Sequence, residues 1–417
     1  MAEFGKAGNK GIVRAWHGGQ MMRRVFVMTV VCVLGASAFI GLSAQSLPLY
    51  QLTEDLRIAS DESSRERALT RISALTVLAD GTIISFHGGR ITWDQGTVSI
   101  GGSGGTKTEH LLRMFTSAGR FVRVIGREGQ GPGEFVGLGQ GGVVGDNIWT
   151  SDYSSGRTTV FSRDGSPLKI ALRPSGTEGR TIALLSGDRR LVSYRFTTRG
   201  PSDPTGRESD SVVFGIEDST GRRLIRVALD PTGKHKSMSG RAGAIPWRSS
   251  QLLAGRVLAA YAEGGELAVV ASDAEAWGGR PGQVRLQLIG RDNIVTQQVV
   301  QFQPQAVPRN YLEERAARFS TNPAEAAQVL AIFRREFYLP DFYPVLQSLK
   351  VGRDGSVWIN PMYEPGMWTV VVNGQPQFRV RVETGITVHA VTRTQMWAVR
   401  EDANGVPMVI RYTVGMR

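Results

Sequence analysis

Apolar residues in this chain come in short runs broken by Gly, Asp and Asn, and only one region shows helical spacing. Leu75-Thr76-Val77-Leu78, then Asp80-Gly81, then Ile83-Ile84 reads as strand, tight turn, strand, because Gly, Asp and Asn tolerate the positive φ of such turns. The same hairpin recurs at 143–150 around Gly145-Asp146-Asn147, at 182–193 around Gly187-Asp188, and at 257–270 around Gly264-Gly265. It returns at 349–359 around Asp354-Gly355 and at 388–399 around Arg393-Thr394-Gln395. The apolar residue after each turn (Ile83, Ile148, Leu191, Leu267, Val357, Met396) marks six copies. A second hairpin follows each of the first five copies, at 112–125, 158–172, 212–229, 284–300 and 368–382. The sixth has only 409–414 after it, while Leu49–Ile58 is a spare strand at the other end. A ring of six four-stranded sheets, closed by the N-terminal strand, accounts for both and leaves no bare inner edge.

Spacings between successive copies are 65, 43, 76, 90 and 39 residues, so the connections grow unevenly, as loops on one face of a ring can. The first gap holds a Gly/Ser-rich excursion over 88–108, in which 90–100 offers an extra hairpin that would raise the count to seven or eight. The third gap holds polar segments at 197–210 and 230–251, read as loops. The fourth holds the helical region. Asn322-Pro323-Ala324-Glu325 is a helix start, with Asn as cap and Pro at the first helical position, and Ala326, Leu330, Phe333 and Phe337 then share one face. A helical insertion over about 308–339 is expected to pack as a cap on one face of the ring.

The stretch from Phe121 to Leu172 carries a more specific pattern. Gly126, Gly129, Gly131, Pro132, Gly133 and Phe135 are followed by a hairpin, Asp152, a short loop, Arg157, a strand through Phe161, and Asp164-Gly165. This ordered set resembles the NHL-type repeat of six-bladed β-propellers over about one and a half repeats, and only weakly elsewhere. The resemblance implies an all-β, six-bladed β-propeller over 45–417, of a bacterial exported kind, and a capping role for Asp152 beside Arg157.

Composition narrows the function. The net charge of +12 is scattered, with no stripe of Lys and Arg of the kind nucleic acid requires, so no nucleic-acid partner is expected. Arg23-Arg24 precede an apolar stretch from Val25 to Leu42 with small residues at its end, which reads as a signal peptide over 1–44, cut after Ala44 or Ala38, or as an uncleaved anchor. Either reading puts the bulk of the chain outside the cytoplasm, periplasmic or secreted, with membrane contact only through that segment. Met21 or Met22 is an alternative start. Cys32, the single cysteine, falls inside the segment, so no disulfide or thiolate site is expected.

No nucleophile elbow, His-Glu-x-x-His, Walker loop or EF-hand loop is present. No catalytic set, metal or cofactor is therefore expected. Loops after the second strand of each copy should open on one face near the axis, bringing His87, Asp152, Tyr153, Arg195, Asp273, Trp277, Tyr363 and Arg400 to a face suited to a protein, peptide or glycan ligand. The alternative is a calcium-dependent lactonase-like propeller, with Asp152 and Asn360 as oxygen ligands on inner strands. Ile72-Ser73-Ala74 stands where that reading wants a Glu.

Overall fold

The computed structural model describes residues 47–416 except 89–90, 95–96, 101–108, 153, 173–179, 199–208, 228–236, 243–244, 251 and 321; Leu172 and the strand segments within 91–100, 195–213 and 226–250 are described by their backbone. The expectations for the signal segment and the alternative start lie outside these residues. Among the described residues no helix is long and apolar enough to cross a membrane.

The chain is all-β with few helices, in a propeller-like arrangement. Four sheets have four strands each in chain order: the first set with Ile72–Val77, Ile83–His87, Leu111–Phe115 and Phe121–Ile125; the second with Leu138–Val144, Asn147–Asp152, Arg157–Phe161 and Pro167–Leu172; the third with Arg180–Leu185, Arg189–Thr198, Ser209–Asp218 and Arg223–Val227; the fourth with Val257–Tyr261, Ala268–Asp273, Gln283–Ile289 and Val295–Gln301. A fifth sheet has eight strands. Leu346–Val351, Val357–Pro361, Met367–Val372 and Gln375–Arg381 form a fifth set, and Ile386–Val391, Gln395–Glu401 and Pro407–Gly415 form a sixth, with Leu49–Ile58 between them.

The hairpins turn where the sequence supplies residues able to hold positive φ. Gly81 sits at φ 85°, and Asp188 and Asn373 hold 53° and 51° at the same kind of corner. Leu49–Ile58 runs antiparallel to the last strand, from Gln51↔Gly415 to Ile58↔Val409, the pairing that the spare-strand count predicts. Its first two residues also pair in parallel with the fifth set, Leu49↔Arg379 and Tyr50↔Val380, which joins two sets into one sheet.

Apolar layers fill the spaces between neighbouring sets. Phe86 and Leu112 meet Leu138 and Ile148 between the first and second, Leu286 and Val300 meet Leu349 and Ile359 between the fourth and fifth, and Leu75 and Ile83 meet Trp397 and Val409 between the first and sixth. Leading strands touch between the first and second, second and third, fourth and fifth, and fifth and sixth sets, and the sixth touches the first. Third and fourth sets meet through Ala183 and Leu185 against Ala259 and Val270, and through a 3.0 Å bond from Ser186 N to the Gly265 carbonyl. A Cβ at Gly265, which holds φ +74°, would stand 2.9 Å from Leu185 Cα, so the turn seats only with glycine there.

This turn of the fourth set reaches across the arrangement. Gly264 pairs in parallel with Val144 of the second set. The neighbouring Glu263 accepts from Thr76 Oγ1 at 2.6 Å and Val77 N at 2.8 Å in the first set. Burial pushes the half-buried Glu263 carboxyl up to about 7, against the pull of both hydrogen bonds and of Arg353, whose guanidinium donates to the Val77 carbonyl. A carboxyl raised in the folded state binds its proton more tightly there than in the unfolded chain, so its ionisation costs stability as pH rises from about 4.5 through 7. Glu263→Gln keeps an acceptor for Thr76 and Val77 and abolishes the titration. It is expected to flatten that part of the stability–pH curve and to raise stability at pH 8 by about 1–3 kcal/mol. Denaturant melts of both proteins from pH 5 to pH 8 check this; parallel curves would show that Glu263 does not titrate in this range.

Two hairpins stand apart from the main sheets. Ile91–Asp94 with Thr97–Ile100 is a separate two-stranded insertion in the first set, so the extra hairpin foreseen there adds no further set. Ser237–Ala242 with Ile245–Ser250 is a second, where the polar composition reads as loop. Helix α1 (Ala274–Trp277) follows the second strand of the fourth set; α2 (Tyr311–Ala317) and α3 (Pro323–Glu336) link the fourth set to the fifth, within the predicted insertion. The Asn322 side chain accepts from Ala324 N at 3.0 Å, and Val329, Phe333 and Phe337 pack with Leu312 and Ala316 of α2. Antiparallel order sends the end of every second strand and every link between sets to the same side, so helices and both hairpins share one face.

Candidate functional site

The second strand of each set ends on the face that carries the insertions. Residues at those ends were predicted to open toward a ligand, but the structure turns several of them inward. His87 is fully buried; its Nε2 lies 2.7 Å from Ser85 Oγ and its Nδ1 3.2 Å from the Thr70 carbonyl. Burial, helped by the Arg113 charge, holds its imidazole down to about 3, so it is neutral at physiological pH.

Asp152 is likewise buried. It accepts from Val136 N at 2.8 Å, Gly137 N at 3.1 Å, Ser154 N at 2.9 Å and Ser155 N at 3.1 Å. Arg157 stands 3.9 Å from it and donates to the Glu134 carbonyl at 3.0 Å. Asp152 therefore ties the Gly-rich approach to its own strand end, the capping role the resemblance implies. Burial alone would raise its carboxyl; the amides of Val136, Ser155 and Ser154 outweigh that and hold it below the usual range. Asn360 donates to the Met367 carbonyl at 2.8 Å, which fastens the following corner of the fifth set.

Asp273 makes the corresponding clasp between two sets. Its Oδ1 accepts from Val345 N at 2.8 Å and Leu346 N at 3.0 Å at the start of the fifth set, and its Oδ2 accepts from Arg256 N at 2.8 Å in its own. Burial pushes this carboxyl up to about 6, more than the three amides and Arg256 lower it. Beside it, Trp277 closes α1 with its ring under the Arg285 guanidinium at 5.2 Å. Tyr363 packs on the apolar layer of the fourth and fifth sets, its hydroxyl raised to about 12 by burial with Glu364 next in effect. Asp273, Trp277 and Tyr363 thus belong to one neighbourhood. His87, Asp152, Arg195 and Arg400 stand in other sets. Arg195 lies in the third set, paired with Val212, and Arg400 on the rim, 3.8 Å from Glu383; Tyr153 lies outside the described residues.

A cleft of about 250 Å³ opens at Asp273. Its walls are Gly255, Glu275 and Gly282 on one side and the link Tyr338–Val345 on the other. Tyr338 and Phe342 are 50% and 39% exposed, unusual for large rings beside a core. Backbone bonds fix the link: Ala306 bridges Phe342, Val307 N donates to the Asp341 carbonyl at 2.9 Å, and Tyr343 N donates to the Gln305 carbonyl at 2.8 Å. Tyr343 also meets the Tyr311 ring edge-on at 6.0 Å, which anchors the link to α2. Nothing in the sequence marks Tyr338 or Phe342 as site residues. A second cleft, about 640 Å³, separates the second and third sets, with Lys169, Asp188 and Arg190 on its walls. Among the described residues no three His, Cys, Asp or Glu side chains come together so as to hold a metal ion.

No family model matches the chain, and no curated protein does. Among solved structures it is similar to a candidate exported protein of Bacteroides fragilis, at 12% identity and a TM-score of 0.45, covering 88% of this chain and 95% of that one. It is similar to a streptogramin B lyase at 9% identity and a TM-score of 0.39, covering 87% and 98%. It is also similar to the calcium-binding protein regucalcin of Agrobacterium tumefaciens, at 9% identity and a TM-score of 0.37, covering 89% and 97%. The fold rests on the sheet order and the packing described above, and not on these likenesses.

Proposed function

We propose that this chain is an exported six-bladed β-propeller that binds a protein, peptide or glycan partner through the insertion-bearing face, without catalysis. The eight-stranded sheet counts as two blades in this reading, since only Leu49 and Tyr50 join its halves while each half keeps a full four-strand order. One observation carries the functional part. The groups at the strand ends that would serve as acid, base or ligand are committed to holding backbone, whereas the cleft beside Asp273 presents open aromatic surface. Tyr338 and Phe342 form its contact surface, in an aromatic-lined concavity with a few fixed polar groups. The Arg23-Arg24 and apolar segment supports export.

The second reading, a calcium-dependent lactonase-like enzyme, keeps Asp152 and Asn360 as its candidate ligands. Metal analysis of protein purified without chelator separates the two. Under the binding reading calcium is absent or lost on dialysis. A stoichiometric, tightly held calcium, with lactone turnover that chelation abolishes, would replace binding by catalysis.

A further inference from the structure

The second and third sets pack closely at their inner strands, where Trp149 lies with Ala183 and Leu185. Beside that contact the seam opens into the cleft of about 640 Å³. It is bounded by the outer strand Pro167–Leu172 of one set and the leading hairpin of the other, through Arg189 and Arg190. Its volume falls within the roughly 300–1,000 Å³ of sites that enclose a whole small molecule.

The walls are of two kinds. Val160 and Leu184 are half-buried and Leu168 is 59% exposed, so apolar surface lines the cleft from both sets. Arg189 and Arg190 line it from the third set. Arg189 is only 5% exposed. Its Nε donates to the Ser186 carbonyl at 2.8 Å, and its Nη1 to the Gly290 carbonyl at 2.7 Å and to Asn293 Oδ1 at 2.8 Å. Its Nη2 is buried with no acceptor. Arg190 Nη2 pairs with Glu217 at 3.0 Å, while its Nε is buried without an acceptor. A buried donor left unpaired is costly, more so on a charged group, and an acceptor brought by a ligand recovers that cost.

The carboxylates that also line the cleft have other partners. Asp152 accepts from four backbone amides, and Asp188 lies 3.6 Å from Lys169, joining the two sets. The Lys169–Asp188 pair is exposed on both sides, so it is weak and a ligand displaces it at little cost.

We propose that this seam binds a small amphiphilic carboxylate of the medium-chain fatty-acid class. Its apolar body lies along Val160, Leu168 and Leu184, and its carboxylate accepts from Arg189 and Arg190. A planar guanidinium fork matches a carboxylate in shape as well as charge. A neutral ligand of the same shape fills the apolar part and brings no charge to the two guanidiniums. The site is separate from the cleft beside Asp273 and does not rest on the function proposed for that cleft.

Calorimetric titration of the protein with decanoate and with decanol, each below its aggregation concentration, tests this. Decanoate is expected to bind about tenfold more tightly than decanol, through charge-assisted hydrogen bonds. Ala171 is exposed and lines the cleft from the outer strand, so Ala171→Trp should fill the seam without disturbing the core. It is expected to weaken decanoate by at least about tenfold. Arg190→Lys keeps a charge for Glu217 but loses the Nε donor, and should cut the preference for decanoate over decanol to about threefold. The two titrations of the parent stand even if a variant fails to fold. Equal affinities for decanoate and decanol would overturn the proposal, and so would binding of neither. Decanoate binding that Ala171→Trp leaves unchanged would place the amphiphile elsewhere and overturn it as well. None of these outcomes bears on the cleft beside Asp273, whose residues stay intact throughout.

Discussion

A chain lacking residues 47–58 is expected to lose the cooperative unfolding transition of the whole domain, not merely to fray at one end. Leu49–Ile58 is the only strand of the sixth set that comes from the start of the chain, and it pairs with Pro407–Gly415 over seven registered positions. It also joins the fifth set, where Tyr50 stacks on Phe378 at 4.1 Å and 9°. Asp55 accepts from Arg411 Nε at 2.8 Å and from Thr413 Oγ1 at 2.9 Å, fixing the register at the bulge. Ile58 is buried between the first and sixth sets, and Leu52, Leu56 and Tyr50 are half-buried. At about 1.5–3 kcal/mol for each fully buried large side chain, the strand contributes on the order of 5 kcal/mol, comparable with the roughly 5–15 kcal/mol that holds a typical domain together. Its loss also bares the edge of Pro407–Gly415 to other chains. Circular dichroism melts and size-exclusion chromatography check this. A truncated protein that melts like the parent and stays monomeric would show that closure does not depend on this strand.

The parts of this architecture that were legible share one physical cause. Positive-φ corners admit few residues, so Asp80-Gly81, Asp188 and Asn373 announce their turns wherever they occur. Counting strands between those turns then leaves one surplus at the start and one deficit at the end, which is how Leu49–Ile58 could be assigned to the last set. The parallel pairing at Leu49↔Arg379 leaves no such mark, because joining two sheet edges demands no special residue. Ser237–Ala242 was equally hidden: its side chains do not alternate between apolar and polar, so a hairpin there resembles a loop. Glu263 gave no hint that it meets Thr76, a partner 187 residues away. At the site, the position of Asp152 and Asp273 at strand ends was readable from the repeat, but the direction in which they point was not. Whether a strand-end carboxylate faces a ligand or an amide depends on where the preceding or following segment lies, and that is settled by packing.

Those two aspartates give the sharper test of the clasp, because the same position in two sets titrates in opposite directions. Asp152 takes four amide N–H groups, and Asp152→Ala leaves all four without their acceptor beside a buried corner. At about 1–3 kcal/mol for each donor left unpaired, and with water able to recover part of this, the expected cost is about 4–6 kcal/mol. Asp273→Ala orphans three amides and should cost about 3–5 kcal/mol on the same basis. Asparagine variants separate charge from shape. The Asp152 carboxyl is lowered in the folded state, so its ionisation adds stability above its unfolded value, and that gain disappears as pH falls through the folded one. Asp152→Asn should therefore be most damaging at neutral pH and approach the parent in acid. The Asp273 carboxyl is raised to about 6, so the folded protein holds its proton while the unfolded chain has released it, and ionisation costs stability as pH climbs from about 4 to 6. Asp273→Asn should then be least damaging, relative to the parent, at neutral pH and above. Urea melts of the two asparagine variants between pH 2 and pH 8 are expected to diverge in opposite senses from the parent curve, Asp152→Asn below about pH 4 and Asp273→Asn between about pH 4 and 6. If both variants instead run parallel to the parent, neither carboxylate acts through its charge, and the clasps hold through hydrogen-bond geometry alone.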